Sequence, residues 1–478
     1  MALFTKSAAS SKMNRGRRPK PTMLNETIIA ISTPPGYGGL GVVRLSGPKA
    51  LAVAKKIFRP RTKTWRKLKP LTLTFGDVGD GTRDGMIDEA FLAYFQAPRS
   101  YTREDVVEIS CHGGPVVLEE VVAMGIRAGA RVAHPGEFTL RAYLNGRLDL
   151  IQAQAVNDLI TATSLAQAKL SFGQVRGALS SQVGALRNRL VELLSLVEAA
   201  IEFPEDEPGI GPAQKGAGLE AALAAVSRLI ASYDAGRAMT QGLELAIVGR
   251  ANVGKSTLFN ALLDQERAIV SPHPGTTRDY LRERIKINDT LFRLTDLAGF
   301  EESYRPLEKE AVKRGEEIAS QAEGILLVLD SSRKEGPADL SLIRKFKHKK
   351  AILVFNKSDL PRKVDRAKCQ AQSKRSRGLD VSALTGKNLD SLRKAIYDKF
   401  APGEAAQGEL LLHLRQKTLF SQMAVGLEKA LEMQRKGYSD EVWAEEIRQV
   451  LPLFGQLTGE IRVDDVLDGI FSRFCVGK

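Results

Sequence analysis

Cysteine is scarce: 478 residues carry three, Cys111, Cys369 and Cys475, far apart in the chain. So few and so scattered, they exclude a disulfide framework or a cysteine-based zinc site, and they fit a reducing, cytoplasmic setting. Long apolar runs are missing too. No stretch of about 18 apolar residues occurs, so nothing is expected to span a membrane. Acid is in deficit, with 70 Lys+Arg against 56 Asp+Glu and a formal net charge of +14. That balance suits a polyanionic partner, a nucleic acid or a phosphate ligand, although plain solubility accounts for it equally well. The deficit is sharpest in residues 1–22, which hold six Lys/Arg and no acid. This stretch lacks the apolar core of roughly 7–15 residues of a secretory signal. It reads as a disordered basic arm, an over-long reading frame ahead of Met23, or an organelle transit peptide.

Against these absences stands an ordinary globular composition, 43% hydrophobic and 26% charged. At about 100–200 residues per domain the length predicts two to four domains. From Ile28 short strands alternate with a Pro/Gly loop (Thr33–Gly41) and two helices, the pattern of a compact α+β domain over 23–143. From about residue 144 to 240 the character is helical. Leu148, Ile151, Ala155, Leu159 and Ile160 form one apolar stripe in a run extending to Phe172. Val183, Leu186, Leu190, Leu193, Leu194 and Val197 form another. At Leu243 buried strands (LELAIV, GILLVLD, AILVFN) begin to alternate with helices, the signature of a parallel sheet. Residues 402–478 are helical again. The expected architecture is therefore multidomain: an α+β N-terminal domain, a helical bundle in two parts, and an α/β domain (241–401) inserted between them.

The insert carries the chemistry. Gly249-Arg-Ala-Asn-Val-Gly254-Lys255-Ser256 fits G-x-x-x-x-G-K-[ST] after a strand and at the start of a helix, with Thr257 following. Asn252, Val253 and the glycines supply backbone N–H groups to phosphates at a helix N-terminus. Lys255 reaches the β- and γ-phosphates, and Ser256 ligates Mg²⁺. Asp296-Leu297-Ala298-Gly299 ends the next strand, where a carboxylate can hold the Mg²⁺ water shell and a glycine N–H the γ-phosphate. Asn356-Lys357-Ser358-Asp359 ends another; Asp359 offers two acceptors to the N1–H and 2-amino group of guanine, a donor pair that adenine lacks. Ser382-Ala383-Leu384 can bring a backbone N–H to guanine O6. These four segments, in order and well spaced, read as a GTP site. Gly275-Thr276-Thr277 lies where a threonine can close over Mg²⁺. Phe300 stands where a water-positioning glutamine is found in Ras-like enzymes, so another charge must stabilise the transition state. Asn252 could supply it by holding a monovalent cation.

The G-T-T-R-D segment, the P-loop asparagine and the apolar Phe300 resemble the TrmE–Era–Obg group of GTPases. "TPPGYGGLGVVRLSG", "CHGGPVVLEEV", "HPGEFTLRAYLNGRLDL" and the terminal "FSRFCVGK" resemble, more narrowly, the MnmE (TrmE) family of tRNA-modification GTPases, over residues 23–478. That resemblance implies a folate-binding, dimer-forming N-terminal domain and a homodimer. It implies a partner flavoprotein of the MnmG type in a heterotetramer. It implies K⁺-stimulated GTP hydrolysis, and modification of carbon 5 of the tRNA wobble uridine with a one-carbon unit from 5-formyl- or methylene-tetrahydrofolate. The product group is carboxymethylaminomethyl or aminomethyl. The folate positions fall on Arg44, Glu108, Arg147 and Lys478. The K⁺ shell falls on Asn252, Ser271, His273 and Thr276, Mg²⁺ on Ser256 and Thr277, and the catalytic glutamate on Glu308. Arg and Lys suit folate carboxylates or a formyl oxygen, and Glu suits pterin N–H donors.

The chain departs from the family at Leu297, where threonine is usual, at Glu301 and Glu302, where an arginine is usual, and at Ala311-Val312 after Glu308. Cys111-His112 invites a nucleophilic dyad, but neighbours on a strand face opposite ways. Cys475 is either a participant in the modification chemistry or a packing residue near the folate site. Two rival functions remain: a GTPase switch for ribosome assembly and a folate-dependent aminomethyl transferase. The first would bring a KH domain or a second GTPase domain, and 403–478 shows the sequence of neither. The second leaves the P-loop unexplained.

Overall fold

The computed structural model describes residues 25–61, 65, 68–80, 82, 85–202, 212–264, 281–288, 290–297, 306–373, 378–401, 413–461, 464–472 and 474–478. The chain divides into two compact units, residues 1–157 with 454–478, and residues 158–453.

In the first unit, strands β1 (Ile28–Ile31), β2 (Gly38–Ser46), β3 (Phe58–Pro60), β4 (Leu73–Gly79), β5 (Met86–Phe95), β6 (Val106–Gly113) and β7 (Arg131–Val132) form one sheet. Its order is β3-β4-β5-β6-β2-β1-β7, antiparallel except for β1 beside β7. Alternation drives Val43, Leu45, Leu92, Val107 and Ile109 to one face, where helices Ala50–Ile57 and Pro115–Arg127 cover them. Proline at the start of the second helix costs no hydrogen bond, since that N–H has no partner within the helix. Cys111 is in this core and His112 is exposed, its ring on Asp88 at 2.7 Å, so the two are no dyad. Burial pushes the Cys111 thiol up to about 11, which makes it unreactive.

This unit also takes in residues 144–157 and the C-terminal 454–478, which the sequence places with the helices. Aromatic packing explains the grouping: Phe471 and Phe474 pack with Tyr143, Leu150 and Ala153.

In the second unit, β8 (Leu243–Val248), β9 (Leu281–Ile287), β10 (Thr290–Asp296), β11 (Gly324–Asp330), β12 (Ala351–Asn356) and β13 (Gly378–Asp380) form a sheet in the order β13-β12-β11-β8-β10-β9. It is parallel except at the β9 edge, whose hairpin to β10 turns at Asn288 with φ +53°. Both faces of β8, β11 and β12 are buried, which is why these central strands are apolar at nearly every position, whereas edge strand β9 carries exposed Arg282 and Arg284. Helices Leu165–Val175, Ala178–Glu202, Pro212–Gln241 and Leu414–Arg435 supply the unit's helical part, and helix Leu150–Ile160 precedes them in the chain. The single run expected from 148 to 172 is broken at 161–164. Thr161-Ala-Thr-Ser164 is weak in helix propensity, and the Ser164 side chain accepts from the Gln167 N–H at 3.1 Å, capping a new helix.

Candidate functional site

The loop from Gly249 leaves β8 and enters helix Lys255–Asp264. Two left-handed residues shape it, Asn252 at φ +61° and Gly254 at φ +92°. A Cβ on Gly254 would lie 2.3 Å from the Asn356 amide nitrogen, so only glycine fits. Lys255 is buried and donates to the Arg250 carbonyl at 3.0 Å, which holds its ammonium over the loop.

Asp296 ends β10, beside β8. Burial pushes its carboxyl above the ordinary value, against the opposing hydrogen bond from Ser256 and the charge of Lys255. Its Oδ1 is buried with no hydrogen-bond partner among the described residues. A buried carboxylate oxygen without a partner, next to a serine hydroxyl, is the donor set that a hard divalent cation takes. Leu297 is 1% exposed and packs under the sheet with Ala246, Val248 and Leu327. The departure from threonine there therefore completes the core.

Asn356 is 2% exposed and acts as a staple. Its Nδ2 donates to the Val253 carbonyl at 2.9 Å, and its Oδ1 accepts from the Ala383 N–H at 3.0 Å. One side chain thus ties the P-loop to the Ser382-Ala383-Leu384 loop. Lys357, at φ +62°, sends Nζ to the Asn252 carbonyl and to Asp330 Oδ2, both at 2.7 Å. Burial raises the Asp330 carboxyl, but the hydrogen bonds from Lys357 and Ser332 outweigh it and hold the group below its usual range. Sequence reading missed Asp330; its position at the end of β11, a strand neighbour of β12, was the available signal. Asp359 is exposed, and so are Asn252, Ser256, Thr257 and Leu384, whereas Val253 and Ser382 are buried.

Ser271, His273, Gly275, Thr276, Thr277, Ala298 and Gly299 lie outside the described residues. Glu308 lies in helix Pro306–Gln321, and its side chain is likewise outside them. Of the expected K⁺ shell only Asn252 is described.

A second cluster sits in the first unit. Arg44 on β2 is paired in register with Glu108 on β6, and its Nε donates to Glu108 Oε1 at 2.8 Å. Arg44 also reaches the Gly477 carbonyl at 3.3 Å, which accepts from Ser32 Oγ at 3.2 Å as well. Gly477 passes so close to β1 that a Cβ would lie 2.2 Å from the Ile31 oxygen, and its φ is +98°. The penultimate glycine is thus what lets the C-terminus reach Arg44. Lys478 follows; burial, then the charge of Arg44, depresses its pKa, with Glu108 opposing. Arg147 stacks on Tyr101 with 4.7 Å between guanidinium and ring centroid, and donates to the Tyr101 carbonyl at 2.9 Å. Arg44 lies 5.8 Å from that ring and 5.7 Å from Phe138. All four expected folate residues therefore gather around Tyr101 and Phe138, two aromatics that sequence reading missed. Cys475 is exposed on the same C-terminal segment.

The helix that carries Phe138 is anchored by charge. Arg141, 1% exposed, bonds Glu137 at 2.9 Å and Glu104 at 3.0 Å, and Arg131 adds a second arginine to Glu137. Burial raises the Glu137 carboxyl, but these partners and the His134 N–H leave it below its ordinary value. Glu137 and Arg141 are thus scaffold, and Arg147 is the residue that this motif delivers to the cluster.

A parallel sheet with an antiparallel edge, a lysine-bearing loop from β8 and an asparagine staple from β12 define a P-loop GTPase. The match to known proteins is narrower. Residues 27–147 match the model of the GTP-binding protein TrmE N-terminus, and residues 150–475 match that of the MnmE helical domain. The tRNA modification GTPase MnmE of Roseiflexus castenholzii is 40% identical over 470 residues, covering 95% of this chain and all of the relative. That of Thermoanaerobacter sp. is 37% identical over 462 residues, with the same coverage. A solved Era structure from Aquifex aeolicus with GDP and aluminium fluoride is 29% identical, covering 40% of this chain and 67% of its own, at a TM-score of 0.28. The chain belongs to the MnmE family of tRNA modification GTPases.

Proposed function

We propose that this protein hydrolyses GTP as part of a homodimeric, tRNA-modifying assembly with an MnmG-type flavoprotein. The assembly places a one-carbon unit from tetrahydrofolate on carbon 5 of the wobble uridine. The observation that carries this reading is the coexistence, in a chain matching MnmE relatives over their whole length, of the P-loop and the Arg44–Glu108–Lys478 cluster. With Arg147 the cluster offers three cations to folate carboxylates or a formyl oxygen, one carboxylate to pterin N–H groups, and aromatic faces for stacking. A ribosome-assembly switch has no observation in its favour: the described residues of 413–478 form helices and no strand. No helix among the described residues is long and apolar enough to cross a membrane, and a cytoplasmic setting suits the assembly. The test is mass spectrometry of wobble uridines in tRNA from a deletion strain. Loss of the modified nucleoside is expected, and unchanged nucleosides would sink the reading.

Ser256 and Asp296 would hold Mg²⁺, directly and through water, joined by Thr277 from the preceding loop. When bound, the ion neutralises charge on the β- and γ-phosphates. Lys255 holds those phosphates, and the Asn356 staple fixes the P-loop against the base-binding loops. For a K⁺ site, Asn252 offers an exposed amide oxygen, a neutral donor suited to a monovalent cation, with Ser271, His273 and Thr276 completing the shell. GTP turnover at constant ionic strength is then expected to be about tenfold faster in KCl than in NaCl. Asn252→Ala should lose that difference while keeping GDP affinity. Equal single-turnover rates in the two salts for the parent would remove the cation from the mechanism. In this reading Glu308 orients the attacking water.

A further inference from the structure

Helix Leu165–Val175 is amphipathic the wrong way round. Its buried stripe is polar: Gln167, Ser171 and Gln174, each at most 3% exposed. Its solvent stripe runs at spacings of four, three and four through Leu165, Lys169, Phe172 and Arg176, all exposed. Leu165 is 60% exposed and Phe172 52%. A surface helix gains nothing for folding by turning leucine and phenylalanine to water, so the stripe is arranged for something outside the unit.

Charge indicates what that is. Between Asp158 and Glu192 the chain carries Lys169, Arg176, Arg187 and Arg189 and no acidic residue. None of the four makes an ion pair among the described residues. Elsewhere in this unit arginines are commonly paired, as Arg448 is with Glu198 and Arg366 with Asp380. Arg176 instead lies over the Phe172 ring, 5.9 Å from its centroid. A phenyl ring beside a guanidinium plane, flanked by unpaired cations, is the chemistry that receives an unstacked base and its phosphates.

We propose that the stripe Leu165–Lys169–Phe172–Arg176 is an RNA-contacting face. Phe172 and Arg176 take an unstacked base of a single-stranded tRNA loop, and Lys169, one turn away on the same exposed stripe, takes a phosphate. The inference rests on the tRNA-modifying reading above and names a surface through which that substrate is held.

The experiment measures binding of the full-length protein to a fluorescent tRNA transcript, with uridine at the first anticodon position, across a KCl series. Phe172→Ala is expected to weaken binding about tenfold or more, and Phe172→Trp to restore it. Lys169→Gln should lower the slope of log affinity against log salt by about 0.7–0.9, the loss of one phosphate contact. GTP hydrolysis by every variant should match the parent, which certifies folding. A parent without measurable RNA affinity overturns the face and the tRNA reading together. A parent that binds, with variants of equal affinity and slope, overturns only the face. Variants that keep RNA affinity but lose the homodimer or a co-purifying flavoprotein also overturn it, because the stripe would then be a protein interface.

Discussion

Asp359→Asn is expected to cut GTP affinity by about 10²–10⁴-fold and to create affinity for xanthosine triphosphate. Two charge-assisted hydrogen bonds to guanine, each worth about 1.5–3 kcal/mol, set that range. The carboxylate accepts from the N1–H and the 2-amino group; an amide in its place directs one donor at another donor. Xanthine carries an oxygen where guanine carries the amino group, so the same amide becomes its partner. The structure supports a large effect because the backbone around Asp359 is held. Lys357 is pinned through its ammonium to the Asn252 carbonyl and Asp330. The Ser358 N–H donates to the Val381 carbonyl at 3.1 Å, and the Leu360 N–H to the Lys357 carbonyl at 3.1 Å. A backbone held in this way loses little further freedom on binding, so most of the lost hydrogen-bond energy appears in the dissociation constant. Fluorescent-nucleotide titration measures it. If Asp359→Asn binds GTP as tightly as the parent, Asp359 does not read the base. Folate binding should be unmoved, since the Arg44 cluster lies in the other compact unit.

The parts of this protein that were legible in the sequence are those whose chemistry demands a fixed spacing. The P-loop needs its glycine at 254 because only glycine clears Asn356, so the motif survives as a string. The buried parallel strands are legible because a sheet covered on both faces tolerates few polar residues. Other features depend on which residues meet across distant segments. Asn356 reads as a base-site residue in the sequence, yet its visible work is to join Val253 to Ala383, over 100 residues from one and 27 from the other. Tyr101 and Phe138 enter the Arg44 cluster from a loop and from a helix held by the Glu137–Arg141–Glu104 network, which no local pattern announces. Leu297 stands out in the sequence as a departure from the family's threonine, and its side chain is core packing. The helix at 165–175 was hidden because apolar spacing alone does not say which stripe is buried. Leu165 and Phe172 count as core residues by hydropathy, and the structure turns them outward.

Arg44→Ala is expected to abolish binding of 5-formyl-tetrahydrofolate and to leave GTP affinity intact. The loss should exceed that of one hydrogen bond because Arg44 does three things. It presents a guanidinium, it orients Glu108 through two contacts to Oε1 at 2.8 and 2.7 Å, and it holds the Gly477 carbonyl and with it the C-terminus. Glu108→Gln separates these roles: the shape persists and the negative charge goes, so affinity should fall by about 10–100-fold. Lys478 supplies a pH signature. Burial and the charge of Arg44 lower its pKa, so the free protein gives up this proton at a lower pH than an ordinary lysine. A folate carboxylate beside it favours the ammonium, so binding takes up a proton in that range. Affinity should be full below the depressed pKa, where the ammonium is present, and decline as pH rises through it. In Glu108→Gln the carboxylate that opposes the shift is gone, so the decline should begin at a still lower pH. Lys478→Met should bind weakly with no such decline. Calorimetry from pH 7 to 10 reads all of this. Normal affinity in Arg44→Ala would remove the cluster from folate recognition, and a decline unchanged in Lys478→Met would assign it to another group.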